Sequence, residues 1–423
     1  MPAVDFLAVP RHNGGVLGLT TLLARRALPA LGLALLLAGA LWGVPARAQS
    51  FQSAAPQVVL LDYDTGAVLF DSAGDVLVSP ASLAKLMTAE VVFREISAGR
   101  LKLEDEFVTS ENAWRRGGAP SGGSSMFLTP NSRAKISDLL QGLIIASGND
   151  AAIVLAEGIS GNEANFARLM NERAAQIGLK RSTFRNSNGW SDPEQRVTMR
   201  EMAQLASHLI RTYPDLYRIF GQKEMLWNRV KQQNRNPLLT MDFGADGLKT
   251  GFLEESGYSL VGSAVQGGQR LIVAMSGMKN ARDRQIEAKK IIDWGFRSFE
   301  VKTILNAGVH VGAAKVFGGV SGSVGLVTRA DVRLPVPRGA PERMSAKIVY
   351  KGPLIAPVKA GDEVATLQVF RNATRVMDAP LLTEGAVEAG SLKDRAADAA
   401  TELGRSLIRD GFSRLTKKKD PSQ

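Results

Sequence analysis

The stretch LLQGLIIASGNDAAIVLAE, residues 139–157, constrains the fold more tightly than any other part of the chain. It belongs to a very apolar helical pattern over residues 137–157, yet Ser147-Gly148-Asn149 interrupts it with polar groups. Buried polar groups need partners, so a Ser-Gly-Asn there is either a satisfied core network or a site. The chain can bury such a core. At 423 residues, 45% apolar and 22% charged, it has an ordinary globular composition, enough for about two or three domains. It has no cysteine, which excludes both a disulfide framework and a thiolate site.

Around that segment the pattern mixes strands and helices from about residue 58 to residue 294. QVVLLDYDTGAVLFDSAGD reads as a hairpin turning at residues 64–66. Residues 82–97, 163–177 and 198–211 read as helices, GYSLVGSAVQGGQRLIVAMSGM as two strands about a turn at residues 266–269, and RDRQIEAKKIIDWGF as a closing helix. After residue 299 the period becomes two. Val332, Leu334 and Val336 alternate with Asp331, Arg333 and Pro335, and Ala365, Leu367 and Val369 with Thr366, Gln368 and Phe370. Residues 299–391 therefore read as a small all-β domain.

The two ends carry their own signals. Arg25 and Arg26 precede an apolar run and the small-x-small triplet Ala46-Arg47-Ala48, so residues 1–48 read as a secretory signal cut after Ala48, with an uncleaved anchor as the alternative. Removing that segment, with its four arginines and one aspartate, takes the net charge from +11 to +8. A basic exported protein meets anionic lipid and cell-wall polymer, and no groove-reading or base-stacking motif points to nucleic acid. Residues 392–423 again look helical, with Ala396, Ala400, Leu407, Ile408, Phe412 and Leu415 on one face and Lys417-Lys418-Lys419 at the end. That suits an interfacial helix on a membrane surface, against the alternative of a tail packed on the protein.

Which serine would do chemistry? PASLAKLMTAE places Ser82 and Lys85 one helical turn apart, so hydroxyl and amine can be neighbours. Beyond residue 48 the only histidines are His208 and His310, one in a helix and one in the β region, which disfavours a Ser-His-Asp triad. No metal-ligand spacing and no phosphate loop is present, so the reading calls for no cofactor and no metal. A nucleophilic serine here would take a lysine as its base. Alone, Ser-x-x-Lys is weak, recurring at Ser132–Lys135 and Ser276–Lys279. Ser-x-Asn recurs at Ser110–Asn112 and Ser160–Asn162, whereas Lys249-Thr250-Gly251 occurs once. The weight lies in the ordered set Ser82-x-x-Lys85, Ser147-x-Asn149 and Lys249-Thr250-Gly251.

Together with SGYSL and WGF, that set resembles the low-molecular-mass penicillin-binding proteins, the D-alanyl-D-alanine carboxypeptidases of serine peptidase family S11. The resemblance covers nearly the whole chain after the signal. It implies an α+β fold: a β-lactamase/transpeptidase-like catalytic domain over residues 49–298 with an antiparallel sheet and a helical cluster. The all-β domain and the amphipathic tail follow. It implies Ser82 as nucleophile, Lys85 as base kept neutral by burial and by the cation of Lys249, and Ser147 as proton relay. Asn149 would hold the substrate backbone, and the amides of Ser82 and Phe252 the oxyanion, beside Gly251. Thr250 and Arg284, with Arg235 as a further cationic residue, would meet the terminal carboxylate; for Arg284 the alternative is a surface arginine at a helix start.

The substrate implied is a peptidoglycan stem peptide, with β-lactams as covalent inhibitors, in the periplasm at the outer face of the cytoplasmic membrane. Endopeptidase action on cross-links, β-lactamase activity and a non-catalytic wall scaffold are the competing readings. Three departures from the family pattern stand out, one of them a tail helix poorer in apolar residues than a firm anchor calls for. Phe252 occupies the place of a frequent histidine, and Trp190, in NSNGWSDPEQRVT, that of a frequent leucine.

Overall fold

The computed structural model describes residues 51–339, 344–371 and 374–399, except 394 and 397. The expected signal over residues 1–48 and most of the expected basic tail lie outside the described residues.

The first hairpin forms as its pattern requires. Strand β1 (Gln57–Asp62) pairs antiparallel with β2 (Val68–Ser72). Asp62 closes the turn by accepting from the backbone N–H and hydroxyl of Thr65 at 3.0 and 2.6 Å. The chain then crosses into a helical cluster. Helix α1 (Lys85–Ser97) leads, followed by a small ribbon of β3 (Glu106–Val108) and β4 (Arg133–Lys135), then α2 (Ile136–Gln141) and α3 (Asn149–Ser160). Helix α4 (Glu163–Gln176) starts at Asn162, whose side chain accepts from the N–H of Asn165 at 2.8 Å; α5 (Met199–Thr212) starts at Thr198, which caps Glu201 at 3.1 Å. A second ribbon, β5 (Glu224–Trp227) with β6 (Val230–Gln233), precedes the long strands β7 (Ala245–Leu253), β8 (Gly257–Gln266) and β9 (Gln269–Met278). Helix α6 (Ala281–Ser298), capped by Asn280, closes the unit.

The main sheet has the order β2-β1-β9-β8-β7, all antiparallel, which leaves β7 as an outer strand. Its central strands are buried almost throughout, as a sheet covered on both faces must be. Phe93, Phe166, Phe184 and Phe220 fill the helical cluster without exposure.

The apolar pattern over residues 137–157 is not one helix. It runs as α2, a π-helical turn Gly142–Ala146, a break at Ser147, and α3. Ser147 sits in the left-handed region at φ 58°, a conformation that costs a non-glycine residue energy and ends helical propagation. Apolar periodicity reports burial on both sides of the break and is blind to the break itself.

Between residues 299 and 383 the regular elements among the described residues are all strands. β10 (Phe299–Leu305) pairs with β13 (Val332–Pro337), and a six-stranded sheet has the order β14-β16-β17-β12-β11-β15. Its members are β11 (His310–Phe317), β12 (Ser323–Thr328), β14 (Met344–Tyr350), β15 (Leu354–Ile355), β16 (Glu363–Arg371) and β17 (Thr374–Thr383). Leu326, Leu334, Leu367 and Leu381 anchor its separate core. Among the described residues, no helix is long and apolar enough to cross a membrane.

Candidate active site

Ser82 lies in a 3-10 turn, Ala81–Ala84, that opens directly into α1, and Lys85 is the first residue of that helix. The helical spacing delivers what the sequence promised. The Lys85 Nζ is 2.9 Å from the Ser82 Oγ. It also donates to the Asn149 Oδ1 at 2.8 Å and to the carbonyl of Asn188 at 2.5 Å. With 1% exposure the amine has lost its water, and three protein oxygens take the place of it.

The polar break in the apolar segment supplies the second group. Because Ser147 leaves the helix in a left-handed turn, its hydroxyl reaches the Lys249 Nζ at 2.9 Å, and Lys249 also donates to the Thr250 carbonyl at 3.1 Å. Asp150, three residues after Ser147 and fully buried, ties down the loop opposite. It accepts from the backbone N–H groups of Met126 and Leu128 and from the Ser125 hydroxyl, at 2.9, 3.1 and 2.6 Å. The Asn149 N–H donates to the Ser124 carbonyl at 2.7 Å, and the Ser124 hydroxyl accepts from Arg235 at 2.6 Å. The SGND tetrapeptide is thus a satisfied network and a part of the site at once.

Glycine permits the close approaches. A Cβ on Gly251 would lie 2.6 Å from the Ser259 Oγ and 3.1 Å from the Ala81 Cβ, so a side chain there would crowd the turn that carries Ser82. Gly189, at φ +89°, presses on the Ala81 carbonyl, where a Cβ would come within 1.8 Å.

Two buried ammonium groups in one site cannot both be comfortable. Burial first, then the Arg235 guanidinium, pushes Lys85 down to about 7, with Asp150 pulling the other way. Lys249 is held well below the usual lysine range by burial, then by Lys85, Arg235 and Arg284. This corrects the expected electrostatics: Arg235, permanently charged, is the cation acting on Lys85, and Lys249 is itself depressed.

Of the remaining expected residues, Thr250 and Phe252 lie on β7 and Arg284 on the first turn of α6. Thr250 is buried, and Phe252 is 48% exposed with its ring 4.2 Å from that of Tyr258. Arg284 is 8% exposed, its guanidinium 5.6 Å over the Tyr258 ring and its Nε without a hydrogen-bond partner. The surface-arginine alternative is therefore excluded. Alternate N–H groups of an outer strand point away from its neighbour, and the first amides of a helical turn lack intrahelical partners.

The competing motifs have other work. The Ser132 hydroxyl bonds the Thr129 carbonyl, the Ser276 hydroxyl the Ser256 carbonyl. His208 faces Glu90 at 3.2 Å and His310 faces Glu384 at 2.7 Å, remote from Ser82 in the hydrogen-bond network. Among the described residues, no group of His, Asp or Glu is disposed to hold a metal ion.

Sequence reasoning did not find Asn188, Ser124 or Asp150. Asn188 contributes a main-chain carbonyl, which leaves no trace in residue type. Its loop is pinned by the Trp190 N–H to the Asn188 Oδ1 at 2.9 Å and by the Arg116 guanidinium 4.7 Å over the Trp190 ring. Asp150 was visible as a carboxylate inside an apolar run.

Comparison with known proteins agrees with this geometry. Residues 44–280 match the peptidase S11 family, D-alanyl-D-alanine carboxypeptidase, and residues 299–389 the C-terminal domain of penicillin-binding protein 5. The D-alanyl-D-alanine carboxypeptidase DacC of Escherichia coli is 37% identical over 80% of this chain and 86% of its own. The relative DacA of Haemophilus influenzae is 37% identical over 72% and 79%. The solved structure of penicillin binding protein 5 from Haemophilus influenzae superposes with a TM-score of 0.70 at 35% identity, covering 80% of this chain and 98% of that one. A penicillin-binding protein of Listeria monocytogenes in its cefotaxime-bound form covers 58% of this chain with a TM-score of 0.53 at 27% identity. With a serine, two lysines and a second serine in contact on this fold, the chain belongs to the D-alanyl-D-alanine carboxypeptidase family of serine peptidases.

Proposed function

We propose that this chain removes the terminal D-alanine from peptidoglycan pentapeptides through an acyl-enzyme on Ser82. The observation that carries the reading is the Ser82–Lys85 pair: a hydroxyl 2.9 Å from a buried amine whose pKa is brought to about 7. A lysine with that pKa is half deprotonated near neutrality and serves as a base. Neutral Lys85 takes the Ser82 proton as Oγ attacks the carbonyl carbon of the penultimate D-alanine. The amides of Ser82 and Phe252 receive the oxyanion. The C–N bond then breaks, the departing amine gains its proton through Ser147, and D-alanine leaves. Water attacks the ester with Lys85 again as base, releasing the shortened peptide and restoring the serine. Asn149 holds the peptide backbone, while Thr250 and Arg284 meet the terminal carboxylate and Arg235 keeps Lys85 neutral.

A β-lactam presents its ring carbonyl to the same hydroxyl and acylates it. The reading places the mature protein in the periplasm, peripheral on the outer face of the cytoplasmic membrane, with residues 392–423 as the contact. Release of D-alanine from a soluble pentapeptide, followed by a coupled assay, tests the assignment. Ser82→Ala abolishes it, and release at the wild-type rate in that variant overturns the proposal.

A further inference from the structure

One cavity among the described residues lies beside the Ser82–Lys85 pair. It is a cleft of about 790 Å³ beneath the β7–β8 turn, open to solvent and within the size range of small-ligand sites. It is continuous with the site through Phe252, which lines it, and through the segment of residues 77–79, which forms its opposite wall and leads directly to Ser82. Its walls combine apolar surface with both signs of charge. Leu77 and Phe252, 44% and 48% exposed, give an apolar lip. Lys279 and Glu254 are exposed and have no ion-pair partner among the described residues. Arg196 is held in place by donating to the carbonyls of Asp192 and Gln195 at 3.3 and 3.2 Å. The Glu255 carboxylate accepts from the Ser191 hydroxyl at 3.0 Å.

Strand β7 explains how a substrate would reach this cleft. It is an outer strand, and an extended peptide can add to a free edge by main-chain hydrogen bonds. With the terminal carboxylate at Thr250 and Arg284 and the scissile carbonyl at Ser82 and Phe252, the peptide runs antiparallel to β7. Its upstream residues then leave the site toward the β7–β8 turn, where the cleft opens. In a stem peptide those residues are zwitterionic: a diamino acid with a free ammonium, and a glutamyl residue with a free carboxylate.

Resting on the peptidase reading above, we propose that this cleft is the subsite for the stem-peptide residues upstream of D-Ala-D-Ala, with Glu254 and Glu255 meeting the ammonium and Lys279 and Arg196 meeting the carboxylate. The test compares kcat/KM for two substrates. One is the full pentapeptide with a free diamino acid. The other is a short N-acylated tripeptide ending in D-Ala-D-Ala, with its lysine amine acetylated.

The wild-type enzyme prefers the pentapeptide. Lys279→Glu and Glu254→Lys each cut that preference by about three- to tenfold, as reversal of one exposed charge contact does, with the short substrate and benzylpenicillin acylation unchanged. An unchanged preference in both variants, an equal loss on both substrates, or no wild-type preference at all overturns the subsite. Absence of D-alanine release from either substrate by the wild-type enzyme is a different failure, which removes the peptidase reading and the subsite with it.

Discussion

At the residue scale, the chemistry turns on how two lysines share one dry pocket. Lys85 and Lys249 are each 1% exposed, and Arg235 stands beside them as a cation that cannot be switched off. Burial raises the cost of both ammonium forms, Arg235 adds to the cost at Lys85, and Lys85 adds to the cost at Lys249. A base must be deprotonated to act, and the pKa of Lys85 lies at about 7. The acylation rate with a chromogenic cephalosporin therefore rises with pH through about 7 and levels off above it. Arg235→Gln removes the cation that depresses Lys85, so the rising limb moves to higher pH while the plateau persists. A limb that stays in place, or moves to lower pH, contradicts this account of the base. The sequence displayed Ser82 and Lys85 through their spacing, but Arg235 sits in QNRNPLL with nothing in the local pattern to mark it. Only the chain's return past Ser124 gives that arginine its place.

At the scale of elements, the site depends on backbones that come closer than side chains allow. The loop bearing Asn188 lies against the turn bearing Ser82, and Gly189 is the point of contact, at φ +89° with a would-be Cβ 1.8 Å from the Ala81 carbonyl. Gly189→Ala meets both a backbone clash and an unfavourable left-handed conformation. It should lower stability by more than about 1 kcal/mol and slow acylation of Ser82, because the Asn188 carbonyl that holds Lys85 moves with the loop. Thermal unfolding and the acylation rate check this together; a variant with unchanged Tm and unchanged rate contradicts it. The elements themselves were largely legible. The hairpin, the strand pair of β8 and β9 and the closing helix follow their periodicities, because their hydrophobic faces repeat at the period of the structure. The break at Ser147 was legible only as a polar interruption, since a left-handed residue is set by the contacts of its hydroxyl and of Asp150 rather than by propensity.

At the scale of the whole molecule, a peptidase unit is followed by a strand-only domain with its own core and then by a basic segment. The period-two alternation of residues 332–336 and 365–370 announced the second domain, though buried Pro335 departs from it. The sequence of residues 392–423, read as an amphipathic pattern with Lys417-Lys418-Lys419 near its end, is the ground for proposing contact with anionic lipid. The proposal predicts that the protein floats with vesicles containing anionic phospholipid, and that the same protein ending at residue 391 stays in the soluble fraction. Equal flotation of the two contradicts the assignment of residues 392–423 as the membrane contact.

The most direct test of the central claim is intact-mass spectrometry of the mature protein with benzylpenicillin over time, with peptide mapping of the adduct. The account predicts a single covalent adduct on Ser82 that forms in the wild-type protein and is absent from Ser82→Ala. An adduct on any other residue, or none while the drug remains intact, contradicts it.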